Sequence, residues 1–150
     1  MRLADLLTPD RIALDRTVSS KKSLLEAAAR LLGGAADAAP GRDIFHGLCQ
    51  RERLGSTGLG HGVAIPHCRV EQDSASGALV RLTRPIDFDS PDAEPVDLFF
   101  ALAVPSTCSE GHLKLLAGIA ELFSDSEQRA RLRELDDVDE VLRALDDFEP

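Results

Sequence analysis

Tryptophan and tyrosine are absent from this chain of 150 residues, and it has only six phenylalanines. Proteins that bind single-stranded nucleic acid stack the bases on aromatic side chains, so this scarcity argues against that class of ligand. Basic residues are also in the minority, with 17 Lys and Arg against 26 Asp and Glu and a net charge of −9. Nucleic acid and anionic lipid surfaces attract basic proteins. The composition therefore predicts neither nucleic acid nor a membrane as a partner.

The sequence also gives no indication of a disulfide framework, a membrane span or an export signal. The chain has three cysteines, an odd number with no Cys-x-x-Cys pair, which does not suit a disulfide framework. No apolar run reaches the length of a transmembrane helix. The first ten residues, MRLADLLTPD, lack the basic-then-apolar order of a signal peptide. We predict a cytoplasmic protein with reduced thiols.

The acidic residues are concentrated towards the C-terminus. Residues 121–150 contain eleven Asp or Glu and only four Arg. A solvated helix face explains this composition most simply, and the alternative is a surface that steers a basic protein partner.

Apolar periodicity predicts alternating helices and strands. Helical spacing occurs in SSKKSLLEAAARLLGG, with Ser19 or Ser20 as its cap, and in GRDIFHGLCQRERL, GHLKLLAGIAELF, SEQRARLREL and DVDEVLRAL. Strand patterns occur in RIALD, in residues 63–65, in GALVRLTRP as far as a break at Pro85, and in the continuous apolar run 96–104. Strands separated by helices predict an α/β fold, with a mixed β-sheet flanked by helices, in a single domain spanning residues 1–150.

One glycine-rich stretch stands out, RERLGSTGLGHGVAIPHCRV at residues 51–70. Four of its glycines precede the apolar run 63–65, which ends at Pro66 and His67. The stretch is not a Walker A loop, because no lysine lies between Lys22 and Lys114. A dinucleotide-binding loop follows a strand and opens a helix, whereas this loop follows a predicted helix and opens a strand. We therefore do not expect it to bind a nucleotide.

The same stretch suits phosphoryl chemistry on a histidine. Glycines let backbone N–H groups approach an anion, and Ser56 and Thr57 add hydroxyl donors. The neutral imidazole of His67 is a competent nucleophile near neutral pH. Pro66 stiffens the backbone immediately before that ring. Phosphoryl transfer depends mostly on positioning and on stabilising the charge of the oxygens, which such a loop can provide.

These residues carry a family resemblance. The stretch RERLGSTGLGHGVAIPHC resembles the active-site signature of the fructose/mannitol-type IIA components of the bacterial phosphoenolpyruvate-dependent phosphotransferase system. In that signature an acidic or amide residue, Glu52 here, leads through a variable stretch to Leu59-Gly60, and a Val-Ala-Ile-Pro-His run and a small residue, Cys68, follow. The segments LADLLTPDRIALD and VDLFFALAVPSTCSEGHLKLLAGIAELF agree with the same family, so the resemblance covers nearly all of the chain.

The resemblance implies roles for particular residues. His67 is implied to be the residue phosphorylated by a phosphorylated HPr-like carrier protein. Arg51 is implied to neutralise the phosphoryl oxygens, and His112 is implied to lie beside His67 and support it by hydrogen bonding. The loop residues expected to face the phosphate are Ser56, Thr57 and Gly58. The family implies no cofactor and no metal, and its fold is a mixed β-sheet flanked by helices.

Within the family, the residues of the signature and of the N-terminal segment resemble those of the nitrogen-regulatory branch, IIA-Ntr. That branch implies a regulator whose phosphorylation state controls its binding to target proteins. The alternative is a sugar-transport IIA component that passes its phosphoryl group to a IIB domain.

Two other kinds of site could use some of the same residues. A zinc site could use the ligand set His61, His67, Cys68 and His112, although the adjacent pair at 67 and 68 makes convergent geometry difficult. A Cys68 nucleophile would need His67 or His112 as its base, yet adjacent residues of a strand point to opposite faces, so Cys68 and His67 should not cooperate. The remaining candidates have no predicted function: His46 and His61 as surface or structural residues, Cys49 as a core residue and Cys108 as a loop thiol.

Overall fold

The computed structural model describes residues 3–33, 39–107 and 110–148. Two short 3₁₀ turns, Leu3–Leu6 and Pro9–Arg11, precede the first strand. The strands are β1 (Ile12–Arg16), β2 (Gly58–Gly60), β3 (Val63–Ala64), β4 (His67–Val70), β5 (Ser76–Ile86) and β6 (Val96–Pro105). The helices are α1 (Lys21–Gly33), α2 (Ala39–Arg53), α3 (Glu110–Ser124), α4 (Ser126–Glu134) and α5 (Val138–Asp147).

The six strands form one mixed sheet in the order β1-β5-β6-β3-β2, with β4 also paired to β6. Strand β5 is parallel to β1 and antiparallel to β6. Strands β3 and β4 both run parallel to β6, and β2 is antiparallel to β3. The predicted α/β class with a mixed sheet flanked by helices is confirmed.

Strands β3 and β4 follow the same edge of β6 with a short interruption between them. Val63 pairs with Leu98 and His67 pairs with Leu102. Between the two strands, the carbonyl of Pro66 still accepts a hydrogen bond from the Leu102 N–H at 2.9 Å. The strand predicted at residues 63–65 therefore continues to Val70, and its second part carries His67.

Strand β6 is buried on both faces, as its continuous apolar run predicts. Phe99, Ala101 and Ala103 belong to the core under α1 and α2, whereas Phe100 and Leu102 belong to the core under α3, α4 and α5. All five are fully buried. The sheet thus separates two apolar layers, and helices cover each of them.

One predicted strand end differs in the structure. Pro85 does not end its strand, because β5 continues to Ile86, where it pairs with Val96 after a change of register beyond Arg81. An irregular stretch of this kind tolerates a proline, which has no N–H to donate to the ladder.

The caps of the helices are largely as expected. The N–H of Ser23 donates to the hydroxyl of Ser20 at 3.1 Å, one of the two predicted caps of α1. Helix α4 is capped by Asp125, one residue before the serine that opens the predicted segment, and α5 by Asp137. Among the described residues, no helix is both long and apolar enough to cross a bilayer.

Candidate functional site

Strand β4 fixes the direction of His67. The neighbouring Cys68 is buried against α2, where its Sγ lies 3.8 Å from the carbonyl oxygen of Ile44 and its Cβ lies close to Gly47. Because consecutive residues of a strand point to opposite faces, His67 projects from the other face of β4. Its ring meets α3 there, with its centroid 5.5 Å from that of His112 and the two planes tilted by 50°.

A backbone carbonyl selects the tautomer of His67. Its Nδ1 lies 2.9 Å from the carbonyl oxygen of Ile65, which can only accept a hydrogen bond. Nδ1 therefore carries the proton, and in the neutral ring Nε2 holds the exposed lone pair. Burial lowers the pKa of His67, and the nearby Arg51 charge acts in the same direction, whereas the hydrogen bond to Ile65 and the charge of Glu52 oppose them. The ring is held in the form that can attack an electrophile.

His112 is the more deeply buried of the two histidines, with 6% of its surface exposed. It lies in the first turns of α3, and its Nδ1 has no hydrogen-bond partner among the described residues. Burial lowers its pKa, with smaller contributions from His67 and Arg69. A polar ring atom this buried and unsatisfied normally has a partner, which a group entering the site could provide.

Arg51 reaches the site from the last turn of α2. Its Nη1 donates to the carbonyl of Gly55 at 2.8 Å, which ties the side chain to the backbone just after the helix. Arg53 lies in the same turn, where two cations complement the negative end of the helix dipole. Among the described residues the Arg51 guanidinium has no other hydrogen-bond partner, so its remaining donors can bind a ligand.

These side chains surround one cavity of about 700 Å³ at the β4 edge of the sheet. The residues that line it share a basic or neutral character, and they are Gly47, Gln50, Arg51, Arg53, Leu54, His67, Cys68, Arg69 and His112. No carboxylate is among them, although the chain carries 26 acidic residues. An open cavity with three arginines and a nucleophilic histidine suits a phosphoryl group.

The structure brings together three of the predicted site residues, His67, Arg51 and His112, and places the loop residues elsewhere. The Ser56 hydroxyl donates to the carbonyl of Phe88 at 2.8 Å, and the Thr57 hydroxyl donates to Glu52 at 2.6 Å. Gly58 begins β2 and packs against Ser90. None of the three lines the cavity, so their direct contact with phosphate stays a prediction.

Glu52 organises this loop. Its buried carboxylate accepts hydrogen bonds from both the N–H and the hydroxyl of Thr57 and forms an ion pair with Lys21 at 2.9 Å. Lys21 also contacts Asp89 at 3.3 Å. The network joins α1, the end of α2 and the loop, so it holds the segment that follows Arg51.

The geometry does not favour the two other site types. The described residues contain no group of three or more His, Cys, Asp or Glu able to hold a metal ion. His61 is exposed in the turn between β2 and β3, where its N–H donates to Asp92. Burial raises the pKa of the Cys68 thiol to about 12, so it is a poor nucleophile. Cys49 is half-buried against the core, and Cys108 lies outside the described residues.

Arg69 was missed by the sequence analysis, as were the cavity residues Gln50 and Arg53. One signal could have identified Arg69: it lies two residues beyond His67, and residues two apart share a face where the predicted strand 63–65 continues past Pro66. The other two lie one residue on either side of Arg51 and Glu52, in a run of polar side chains that is ordinary for a helix end.

A family model and several relatives match this chain. The model described as "Phosphoenolpyruvate-dependent sugar phosphotransferase system, EIIA 2" matches residues 5–148. The "Nitrogen regulatory protein" of Pseudomonas aeruginosa is 43% identical over 134 residues, covering 89% of this chain and 87% of the relative. The protein of the same name from Bradyrhizobium diazoefficiens is 40% identical over 149 residues, covering 97% and 95% of the two chains.

A solved structure agrees with these relatives. The crystal structure of the nitrogen regulatory protein IIA-Ntr from Neisseria meningitidis superposes with a TM-score of 0.89 at 41% identity. The match covers 95% of this chain and 98% of that one.

Proposed function

The chain belongs to the EIIA 2 family of the phosphoenolpyruvate-dependent sugar phosphotransferase system, in its nitrogen-regulatory branch, and on that premise we propose that it accepts a phosphoryl group on Nε2 of His67. One observation carries the choice of atom. Nδ1 of His67 donates to the Ile65 carbonyl, so only Nε2 has a lone pair available.

The transfer makes one bond and breaks another. The Nε2 lone pair attacks the phosphorus of a phosphorylated HPr-like carrier, and the bond from phosphorus to the carrier nitrogen breaks. The electron pair of that bond returns to the carrier ring. Positive charge develops on the His67 ring, and the Ile65 carbonyl stabilises it through the Nδ1–H hydrogen bond.

Arg51 and His112 support this step in different ways. The guanidinium of Arg51 stabilises the negative charge of the phosphoryl oxygens, which is the main requirement of phosphoryl transfer. The buried ring of His112 lies against His67 and has an unsatisfied Nδ1, so it can hydrogen-bond to the phosphoryl group or its surroundings. Contact of Ser56, Thr57 and Gly58 with the phosphoryl group stays a prediction, because none of the three lines the cavity.

Phosphorylation then acts as a switch for protein binding. A phosphoryl group adds about two negative charges and strong acceptors to an otherwise basic cavity mouth. A partner that binds either the phosphorylated or the unphosphorylated form binds the other form more weakly, because an unmatched buried charge is costly. We place this cycle in the cytoplasm, with the HPr-like carrier as donor and regulatory proteins as targets. Transfer to a IIB domain is the alternative, and the identity to nitrogen regulatory proteins favours regulation.

Labelling with radioactive phosphoenolpyruvate, the first enzyme of the system and the HPr-like carrier tests the assignment. The wild-type chain should gain one phosphoryl group that is acid-labile and base-stable. His67→Ala should remain unlabelled, and the matched control His46→Ala, an exposed position of α2, should be labelled like the wild type. Undiminished labelling of His67→Ala would show the assignment to be wrong.

A further inference from the structure

Arg69 and His67 lie on the same face of β4. They are two residues apart, which places their Cα atoms about 6.6 Å from each other along an extended strand. Both side chains line the same cavity. Arg51 reaches that cavity from α2, which packs on the Cys68 face of β4. The two guanidinium groups therefore approach the mouth of the cavity from opposite faces of the sheet edge.

The charge of Arg69 is uncompensated. Arg81 and Arg133 are each paired with an aspartate, at 3.2 Å from Asp15 and 3.0 Å from Asp97. Among the described residues, the exposed side chain of Arg69 forms neither a hydrogen bond nor an ion pair. Its positive charge acts instead on the ring of His112, which contacts His67. An exposed arginine often lacks a carboxylate, so it is the place of Arg69 in the cavity beside the nucleophilic histidine that indicates a position for an external anion.

We propose that Arg69 is a second phosphoryl-binding arginine, which stabilises the phosphorylated form of His67 from the strand side while Arg51 does so from the helix side. The inference rests on the proposed function. Arg69 makes and breaks no covalent bond, and its guanidinium donates hydrogen bonds to the phosphoryl oxygens. Such charge-assisted bonds favour the phosphorylated form in the equilibrium with the carrier.

Arg53 is the weaker candidate for this role. It also borders a separate groove between α1 and α2, beside Lys22 and Cys49. Arg53 lies in the last turn of α2, where a cation stabilises the negative end of the helix dipole, and this accounts for a basic residue there. Arg69 has no comparable structural explanation on its strand.

A charge-matched pair of variants tests the proposal. Arg69→Gln removes the guanidinium from the cavity, and Arg84→Gln removes one from an exposed position of β5. In the register of the sheet, Ser76 of β5 is level with Cys68, because both pair with Ala103. Arg84 is eight residues further along β5, about 26 Å away at the usual rise of a strand. Arg69→Lys keeps the charge without the planar fork.

Two measurements on the phosphorylated protein provide the readout. The first is the equilibrium constant for transfer between the HPr-like carrier and His67, measured from both directions. The second is the pKa of the phosphoryl group, followed by the pH dependence of its ³¹P chemical shift. A guanidinium in contact with the phosphoryl group favours its doubly charged form, whereas an arginine that only supports the fold does not alter this pKa.

We expect Arg69→Gln to lower the equilibrium constant about tenfold and to raise the phosphoryl pKa by about one unit. Arg69→Lys should fall between this variant and the wild type, and Arg84→Gln should match the wild type. Amide NMR spectra should show that all variants are folded. If Arg69→Gln matches Arg84→Gln in both readouts while the wild type is phosphorylated on His67, the role of Arg69 is overturned and the proposed function stands. If the wild type takes no phosphoryl group, both are overturned.

Discussion

At the scale of single residues, the protonation of His67 decides whether the site can work. Burial lowers the pKa of His67 below 6.5, so its ring stays neutral to a lower pH than a free histidine does. The protonated ring has no lone pair to attack phosphorus. We therefore expect the pKa of His67, followed by NMR of its Cε1–H, to lie below 6.5. The initial rate of phosphoryl acceptance should stay constant above that value and fall only at lower pH.

The same shift links stability to pH. Between the lowered pKa of the folded protein and 6.5, the unfolded chain binds more protons than the folded one, so the free energy of unfolding decreases as the pH falls through this window. His112, whose pKa is also lowered by burial, contributes with the same sign. Urea titrations at pH 7.5 and 5.5 should show this loss, and His67→Gln should reduce it. A His67 pKa above 6.5 would contradict the account of its burial.

Arg51 provides a second test at this scale. Its guanidinium is positioned by the Gly55 carbonyl and faces a cavity without carboxylates. Removing one preorganised charge-stabilising group from a site typically slows the reaction about 10²- to 10³-fold. We expect Arg51→Ala to slow phosphoryl acceptance by that order with little change in the melting temperature. Stopped-flow transfer from the phosphorylated carrier measures it, and a wild-type rate would remove Arg51 from the site.

Glu52 is expected to matter for stability. Its carboxylate is buried and accepts two hydrogen bonds from Thr57 while pairing with Lys21. Glu52→Ala leaves the Thr57 donors unsatisfied, which should lower the free energy of unfolding by about 1–3 kcal/mol. The control is Glu26→Ala, whose ion pair with Arg30 is exposed and should contribute about 0.3–0.5 kcal/mol. Equal effects of the two variants in urea titrations would contradict this interpretation.

At the scale of elements, the packing of α2 on β4 sets the distance between Arg51 and His67. A Cβ added at Gly47 would lie 2.9 Å from the Cβ of Cys68, so Gly47→Ala must push the helix from the strand. Alanine gains about 0.5–1 kcal/mol over glycine inside a helix, but overpacking typically costs about 1–3 kcal/mol. We expect a net loss of stability and slower phosphoryl acceptance. A higher melting temperature with an unchanged rate would contradict this account.

The elements differ in how far the sequence predicts them. Buried helices and β6 follow directly from apolar periodicity, since each element buries a face or both faces. The end of β5 cannot be predicted in this way, because an irregular register accommodates Pro85 within the strand. The glycines of the loop form a tight β2–β3 hairpin, in which Gly60 and Gly62 have φ values of +91° and +78°. The composition is the same for a hairpin and for a phosphate loop, so only the fold distinguishes them.

Some residues of the site can be predicted from the sequence, and others gain their role only through tertiary packing. The glycine-rich stretch and Pro66 predict His67, whereas the roles of Arg51 and His112 follow only from the family resemblance. Glu52 received no role from the sequence, because its partners Thr57 and Lys21 meet it only after α1, α2 and the loop have packed together.

At the scale of the whole molecule, charge is distributed unevenly. The chain has a net charge of −9, yet the cavity beside His67 at the β4 edge is lined by three arginines and by no carboxylate in the described residues. Under the proposed function, a phosphoryl group of about two negative charges enters this locally basic region and offsets most of its positive charge. A regulator that reports its phosphorylation state to other proteins requires such a local change on an otherwise constant surface.

The central claim is that Nε2 of His67 receives the phosphoryl group. The most direct measurement is NMR of the ¹⁵N-labelled protein phosphorylated by the carrier, which identifies the histidine and the ring nitrogen bonded to phosphorus. We predict a single phosphohistidine at residue 67 with its phosphorus on Nε2 and its Nδ1–H still bonded to the Ile65 carbonyl. A phosphoryl group on Nδ1, or on any residue other than His67, would contradict the account.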